Sequence, residues 1–511
     1  MSTLRRFSSL LLLALVTLAS TATAQRASQR GPLDGFDQYV TNAIRELEHA
    51  GIAIAVVKND SIVYAKGFGV RAIGKPDPID ANTIFAIGSS TKAFAGLSVA
   101  MLVDEGKMSW DEPVATYLPG FRLYDPYVSQ QITMRDALTH RSGLARTDLV
   151  WISGQFTSEE LIRRLRFVKP AGPFRQEYGY QNLMYLAAGM AVAKVAGTPT
   201  WSDFVTQRIL LPLGMRESSP SIKGLAGKTN VAEPHARIND TLRTVPARDI
   251  DHVAPAGSIN SNVLDMAQWL RFQLNGGKVN GKALLGQRAF DETRTPQFTM
   301  RRGGGGGGGA QPAERDGYFS AYGMGWFLQD YKGRFVVHHG GNIDGMTALV
   351  ALMPDENLGV VALTNMNGSP LPTALTYTIF DRFLGLPAKD RVAEIKEQRA
   401  RAATRVAQQQ AETEAKRVKN TMPTLTLDRY AGTYADSANG ELKVTLENGK
   451  LVVRYGTQFT GDLEHWNYDT FRAAWRNLAL FSHSMVNFTI GRDGTPSTVS
   501  LDNFGEFGRS P

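Results

Sequence analysis

The sequence predicts an α+β protein with two folded parts: a large domain built on an antiparallel sheet with helices, then a small all-β, barrel-like domain. Three observations carry this reading. Strand-length apolar runs occur at both ends of the first part (51–65 and 325–364), while its middle reads as helix and loop. A charged stretch, 389–420, has no strand character and separates the two parts. Beyond it, Asn448-Gly449 stands between two alternating runs, a strong hairpin signal.

In chain order, Arg5 and Arg6 precede Leu10–Val16, and Ala22-Thr23-Ala24 offers a small-residue cleavage site before Gln25. Residues 1–24 therefore read as a secretory signal peptide, too short in its apolar run to span a bilayer. The expectation is an exported protein, periplasmic or secreted. From Leu33 to His49, Phe36, Val40, Ile44 and Leu47 fall on one helical side. Gly51–Val57 and Ile62–Ala65 flank Lys58-Asn59-Asp60-Ser61, a hairpin. Ala93–Val103 has helical character, and 105–285 is mostly helical and loop-rich, with a helix at Asp265–Leu270. The run Gly303–Gly309 reads as a surface loop, because ordering seven glycines costs much backbone entropy. Strands follow around Gly325–Phe327, Arg334–His338, Met346–Met353 and Leu358–Thr364. The expected parts are a large α+β domain over 25–388, a helical connector over 389–420 and a β-domain over 421–511, whose aromatic residues read as core.

Composition narrows the function. The chain has 511 residues, 43% hydrophobic and 20% charged, ordinary for a globular protein. It has no cysteine, so disulfides and thiolate zinc sites are excluded. Its eight histidines form no zinc-hydrolase pattern, and no cofactor is called for. No Gly-x-Ser-x-Gly elbow occurs. The net charge of +8 is concentrated in 389–419, where nine basic residues meet five acids. Mixed signs there favour a solvated helix over a nucleic-acid contact.

Chemistry concentrates at Ser89-Ser90-Thr91-Lys92, the single Ser-x-x-Lys in the chain. Ser89 is expected at a helix N-terminus with Lys92 one turn on, along the same face. A serine needs a base within reach and donors for the oxyanion, and a lysine shielded from water can supply the first. The spelling alone also fits an exposed lysine beside an N-cap serine. Two later motifs change that reading: Tyr180-Gln181-Asn182, and His339-Gly340-Gly341 at the end of a strand-like run.

Ser-x-x-Lys, Tyr-x-Asn and His/Lys-x-Gly in this order resemble the serine β-lactamase and penicillin-recognising hydrolase family, closest to its class C-like branch of D-aminopeptidases, D,D-peptidases and esterases. Thr139-His140-Arg141-Ser142-Gly143, Leu211–Met215 and Pro255–Ser258 are similar to that family's segments too, and the resemblance runs over about 35–385. It implies a β-lactamase-like sheet flanked by helices with an all-helical region, and the last module resembles the small β-domain often appended to exported members. It also implies roles. Ser89 carries the acyl group; Lys92 and Tyr180 share the acid–base work, with the first base left open. Asn182 orients Lys92 and binds a substrate amide carbonyl. His339 contacts a substrate carboxylate or the Tyr180 hydroxyl, and Gly341 admits substrate backbone. The N–H groups of Ser89 and Asn342 hold the oxyanion. Because strand neighbours face opposite ways, only one of His338 and His339 can serve, and the spacing to Asn342, Asp344 and Gly345 favours His339. His140 reads as a structural residue.

Histidine where relatives carry lysine departs from an efficient β-lactamase, since histidine is mostly neutral near pH 7. The expected substrates are small molecules or peptides: esters, or amides of small or D-configured acyl groups. The alternatives are a true β-lactamase or D,D-peptidase, a penicillin- or wall-binding sensor with little turnover, and a chain whose binding function sits in the C-terminal β-domain.

Overall fold

The computed structural model describes residues 31–300 and 317–511. The signal-peptide segment and the glycine run lie outside the described residues. Helix α1 (Phe36–Glu46) buries Phe36, Val40 and Ala43, the apolar side of its sequence. It leads to β1 (Gly51–Lys58) and β2 (Ser61–Gly69). Asn59 and Asp60 turn between them at φ 50° and 61°, the left-handed pair that matches the twist of a two-residue hairpin.

Helix α2 (Lys92–Asp104) is buried from Lys92 to Leu102 on all sides, which a composition apolar but for Lys92 and Ser98 permits. Helices α3 (Asn182–Ala196) and α4 (Val263–Leu274) belong to the same helical region. Then come β3 (Phe298–Thr299), β4 (Ser320–Tyr322), β5 (Phe327–Tyr331), β6 (Arg334–Ile343), β7 (Met346–Met353) and β8 (Leu358–Thr364). These six and the first hairpin form one antiparallel sheet, ordered β2-β1-β8-β7-β6-β5-β4-β3. The two ends of the domain meet where β1 pairs β8, Ile54 opposite Ala362.

Both faces of this sheet are covered, which explains why its central strands are apolar without alternation. Ala53, Ala55 and Val57 of β1 enter the core shared with α2, α3 and α4. Ile52, Ile54 and Val56 enter a second core with α1 and helix α5 (Leu371–Phe383). Helix α6 (Arg391–Ala415) follows; it buries only Arg391, Val392 and Ile395 and otherwise carries its charges in solvent. Arg391 Nη1 meets Asp381 at 2.7 Å, both side chains buried, and anchors its first turn on α5.

The last part is a closed eight-stranded barrel in up-and-down order: β9 (Gly432–Asp436), β10 (Gly440–Glu447), β11 (Lys450–Tyr455), β12 (Phe459–Asn467), β13 (Thr470–Trp475), β14 (His483–Ile490), β15 (Pro496–Leu501) and β16 (Gly505–Arg509). Asn448 and Gly449 make the β10–β11 turn with positive φ. Tyr430, Tyr455, Trp475 and Phe507 fill the interior, as their composition predicted. The barrel rests on the hydrolase domain. Thr457 N donates to the Ser153 carbonyl at 2.9 Å, and Arg164 Nη1 to that of Ser437 at 2.6 Å.

Candidate active site

Ser89 does not open an α-helix. Gly88–Thr91 forms a 3₁₀ turn, and α2 begins at Lys92. The tighter turn follows from what it passes. Strand β6 runs so close that a side chain on Gly341 would start 1.8 Å from the Ile87 carbonyl oxygen and 3.1 Å from Ser89 N. Gly88 faces the Asn342 N–H in turn, at φ 50°. Two glycines therefore let the turn and the strand touch, and they bring the N–H groups of Ser89 and Asn342 to one spot. Ser90 Oγ fastens the contact by donating to the His339 carbonyl at 3.0 Å.

Lys92 is completely buried. Its Nζ donates to Ser89 Oγ at 3.1 Å and to the Ala256 carbonyl at 2.7 Å. The rings of Tyr180 and Tyr185 lie 4.8 and 5.3 Å from it. Burial pushes the Lys92 pKa well below its ordinary value; Asp148 pulls it back up and Arg146 lowers it further. Burial moves the Tyr180 phenol the other way, upward, with the neighbouring Ser89 hydroxyl opposing. At neutral pH the amine is thus driven toward its uncharged form and the phenol stays protonated.

Tyr180 is held by His140. The His140 carbonyl accepts from Gly179 N at 2.8 Å and its Nδ1 from Gln181 N at 3.0 Å, so both neighbours of Tyr180 are tied to one residue. Because Nδ1 accepts, the proton sits on Nε2. The His140 ring lies 4.2 Å from that of Tyr180, and the residue adopts φ 57° to make these contacts.

Asn182 lines the cleft beside Ser89. Its amide donates to Asp148 Oδ1 at 2.7 Å, and Lys92 takes its orientation from Ala256. The Trp151 indole N–H donates to the same Asp148 oxygen at 2.9 Å, while Arg146 pairs with the other. The Asn342 side chain holds the loop after β8, accepting from Gly368 N at 2.7 Å.

His339 is also fully buried. Its Nε2 meets the Tyr322 hydroxyl at 3.0 Å and its Nδ1 the Gly340 carbonyl at 2.6 Å, so both ring nitrogens are occupied within the protein. Burial, then Lys92, lowers its pKa to about 3. A neutral, enclosed imidazole differs from the exposed carboxylate contact that the motif implies. His338 stacks on Phe327 with centroids 5.5 Å apart, and the His339 ring lies 5.2 Å from the same Phe327 ring, so the two neighbours are not sent to separate surroundings.

The cleft above Ser89 has a volume of about 250 Å³. Arg146, Asp148, Arg248 and Asp344 border it, and Phe459, Leu480 and Phe481 of the barrel close one side. Among the described residues no cluster of three metal-ligating side chains occurs, and no helix is long and apolar enough to cross a membrane.

Residues 36–382 match the Beta-lactamase family. The chain belongs to the β-lactamase family. Within that family it is a serine hydrolase, and one relative is itself named a hydrolase. An unguisins hydrolase of Aspergillus violaceofuscus is 29% identical over 506 residues, covering 92% of this chain and 88% of its own. Protein flp of Staphylococcus aureus is 24% identical over 66% of this chain and 64% of flp. The structure of an octameric penicillin-binding protein homologue from Pyrococcus abyssi shares the fold, with TM-score 0.62 and 22% identity over 93% of this chain and 99% of that one. SurE with D-Leu gives TM-score 0.52 and 17% identity over 94% and 99%. Residues 416–509 match a domain of unknown function, DUF3471.

Several residues around Ser89 of this β-lactamase-family chain carried no signal of their own in the sequence. Ala256 acts through its carbonyl, which any residue would offer, although it lies in the Pro255–Ser258 segment. Arg146 and Asp148 follow the Thr139–Gly143 segment closely, and that proximity is the one cue that could have singled them out. Phe459, Leu480 and Phe481 read as barrel core, and nothing local ties them to a serine some 370 residues earlier.

Proposed function

We propose that this protein is an exported acyl hydrolase that works through a covalent Ser89 ester and takes uncharged ester, amide or peptide groups. The observation that carries the reading is the buried Lys92 amine 3.1 Å from Ser89 Oγ, with no carboxylate among the described residues in hydrogen-bond contact with it. An amine driven toward neutrality by burial is a competent base at pH 7. Lys92 takes the Ser89 proton as Oγ bonds to the substrate carbonyl carbon. The charge that develops on the carbonyl oxygen falls between the N–H groups of Ser89 and Asn342. The leaving group departs with the proton of Tyr180, which recovers one from Lys92. Water then attacks the acyl-serine with the same two groups acting in reverse, and Ser89 regains its proton.

The cations support an uncharged substrate. Arg146 and Arg248 border the cleft, but each is paired, with Asp148 and Asp344. His339 is buried and occupied. No free cation therefore waits at these positions for a β-lactam carboxylate. SurE, a structural relative crystallised with D-Leu, is in keeping with D-configured, aliphatic groups.

The test is intact mass after mixing the mature protein with an activated ester and, separately, a penicillin, beside Ser89→Ala. A transient, Ser89-dependent adduct with product release is expected from the ester. A lasting penicillin adduct would turn the reading toward a sensor or D,D-peptidase. Ester turnover that survives Ser89→Ala would overturn the assignment. Export predicts a mature N-terminus at Gln25.

A further inference from the structure

The short helix Asp148–Ile152 carries the carboxylate that Asn182 and Trp151 bond and whose charge acts on Lys92. Five residues with no side-chain N-cap do not hold a helix by themselves, so its place is set by what packs around it. Val150 and Trp151 belong to the hydrolase core. Leu149 and Ile152 pack instead against the aromatic core of the barrel. The helix therefore lies between two cores, one of them built by the far end of the chain.

The barrel grips it backbone on backbone. Just past the helix, the Ser153 carbonyl accepts from Thr457 N at 2.9 Å, in the β11–β12 turn. That turn comes so near that a side chain on Gly456 would start 2.1 Å from the same oxygen, and Gly456 stands at φ 60°. Gln155 then closes a two-way clasp on β10. Its Oε1 accepts from Glu441 N and its Nε2 donates to the Glu441 carbonyl, both at 3.2 Å. Beside the clasp, a side chain on Gly440 would start 2.3 Å from the Phe156 ring. The barrel thus holds this segment from Leu149 to Phe156.

We infer that the C-terminal barrel, which matches a domain of unknown function, is a positioning element of the catalytic site: it holds the Asp148–Ile152 helix so that Asp148 stays on Asn182 and before Lys92. The inference rests on the hydrolase reading of Ser89 and Lys92. The role is separate from the wall that Phe459, Leu480 and Phe481 give the cleft. Those side chains border the space a substrate enters. Gly456, Thr457 and Gln155 are not among its walls and act through Asp148.

The experiment is a double-mutant cycle in the full chain, with nitrophenyl ester kinetics counted per Ser89 that acylates. Gly456→Ala pushes the turn off Ser153. Gly449→Ala is its control: it also stands at a positive φ, 76°, but a side chain there meets nothing within 4 Å. Gln155→Ala opens the clasp without backbone strain, and it carries the test should Gly456→Ala not fold. Gly456→Ala should lower kcat about tenfold or more with KM within about twofold, since about 1 Å of misplacement costs about 10²-fold. Gln155→Ala should lower kcat about fivefold, and Gly449→Ala less than about twofold. In an Asp148→Asn background the first two losses should shrink below about twofold, because changes that act through one group do not add. Amide hydrogen exchange over 149–153 should quicken in Gly456→Ala and Gln155→Ala but not in Gly449→Ala. Equal losses in both backgrounds, a Gly449→Ala loss matching that of Gly456→Ala, or unchanged exchange would overturn the positioning role, while Ser89-dependent turnover left the hydrolase reading intact. Turnover in Ser89→Ala would instead sink that reading itself.

Discussion

The Asn182 amide donates to Asp148 Oδ1 at 2.7 Å, and through this bond the Tyr-x-Asn motif reaches the charge that acts on Lys92. Asp148 is the carboxylate that raises the Lys92 pKa against burial. Asp148→Asn removes that charge and releases Arg146, and both changes disfavour the ammonium form. The acid limb of the kcat/KM profile should therefore move to lower pH. A limb that stays in place or moves upward would remove Lys92 as its source.

Burying Lys92 costs stability. A buried amine with only a hydroxyl and a carbonyl as partners gains little from burial. Lys92→Met keeps the volume and removes the polar group. Turnover should fall about 10³-fold or more, while unfolding stability should hold or rise by about 1 kcal/mol. Denaturant melts beside ester kinetics check both, and a Met variant that keeps turnover would dismiss the base.

His140 ties both neighbours of Tyr180 to itself from a left-handed backbone position. His140→Asn suits that backbone but loses the ring against Tyr180. The phenol should then drift, and a displacement of about 1 Å costs about 10²-fold in rate. The loss should appear in kcat more than in KM; unchanged kcat would reduce His140 to packing.

Acid should unfold this protein through its buried histidines. His49, His338 and His339 are lowered to about 4, 3 and 3, each chiefly by burial. In the unfolded chain they titrate near 6.5. The unfolded state therefore binds protons first as pH falls, and stability drops from pH 6.5 down to the folded values. At pH 5 the loss is about 2 kcal/mol per histidine at most. Melting temperatures from pH 7 to 5 should fall steadily, and His49→Gln should weaken the dependence. A flat curve would mean that these rings are protonated in the folded state.

The barrel should influence substrate choice. Leu480 and Phe481 lie between β13 and β14 and border the Ser89 cleft, so they offer apolar surface to a bound group. Phe481→Ser should raise KM for bulky aromatic esters about tenfold and leave acetate esters nearly unaffected. An equal effect on both would make the loop a structural prop.

The order Ser-x-x-Lys, Tyr-x-Asn, His-x-Gly was enough to place the chain in its family, because each motif is a short local spelling of residues with distinct chemistry. The strands of the sheet were legible for a similar reason. Leu358–Thr364 is apolar throughout, and a strand covered on both faces has to be. The 3₁₀ turn at Gly88–Thr91 was not legible. An α-helical start and a tighter turn use the same residues, and the close passage of β6 at Gly341 decides between them. His339 was read as a substrate contact from its motif position, but its orientation depends on Tyr322 of another strand.

By itself, then, the sequence determined the fold class, the family, the pairing of Ser89 with Lys92, the connector helix and the appended β-domain. These follow from periodicity, turn chemistry and local spacing. Only the tertiary structure decided the electrostatic state of Lys92, the grip of His140 on Tyr180, the Asp148 and Ala256 contacts, and the barrel wall of the cleft. Each of these depends on burial or on atoms brought together from distant parts of the chain. Burial sets the cost of a charge, and no local pattern of residues records how deeply a side chain will lie.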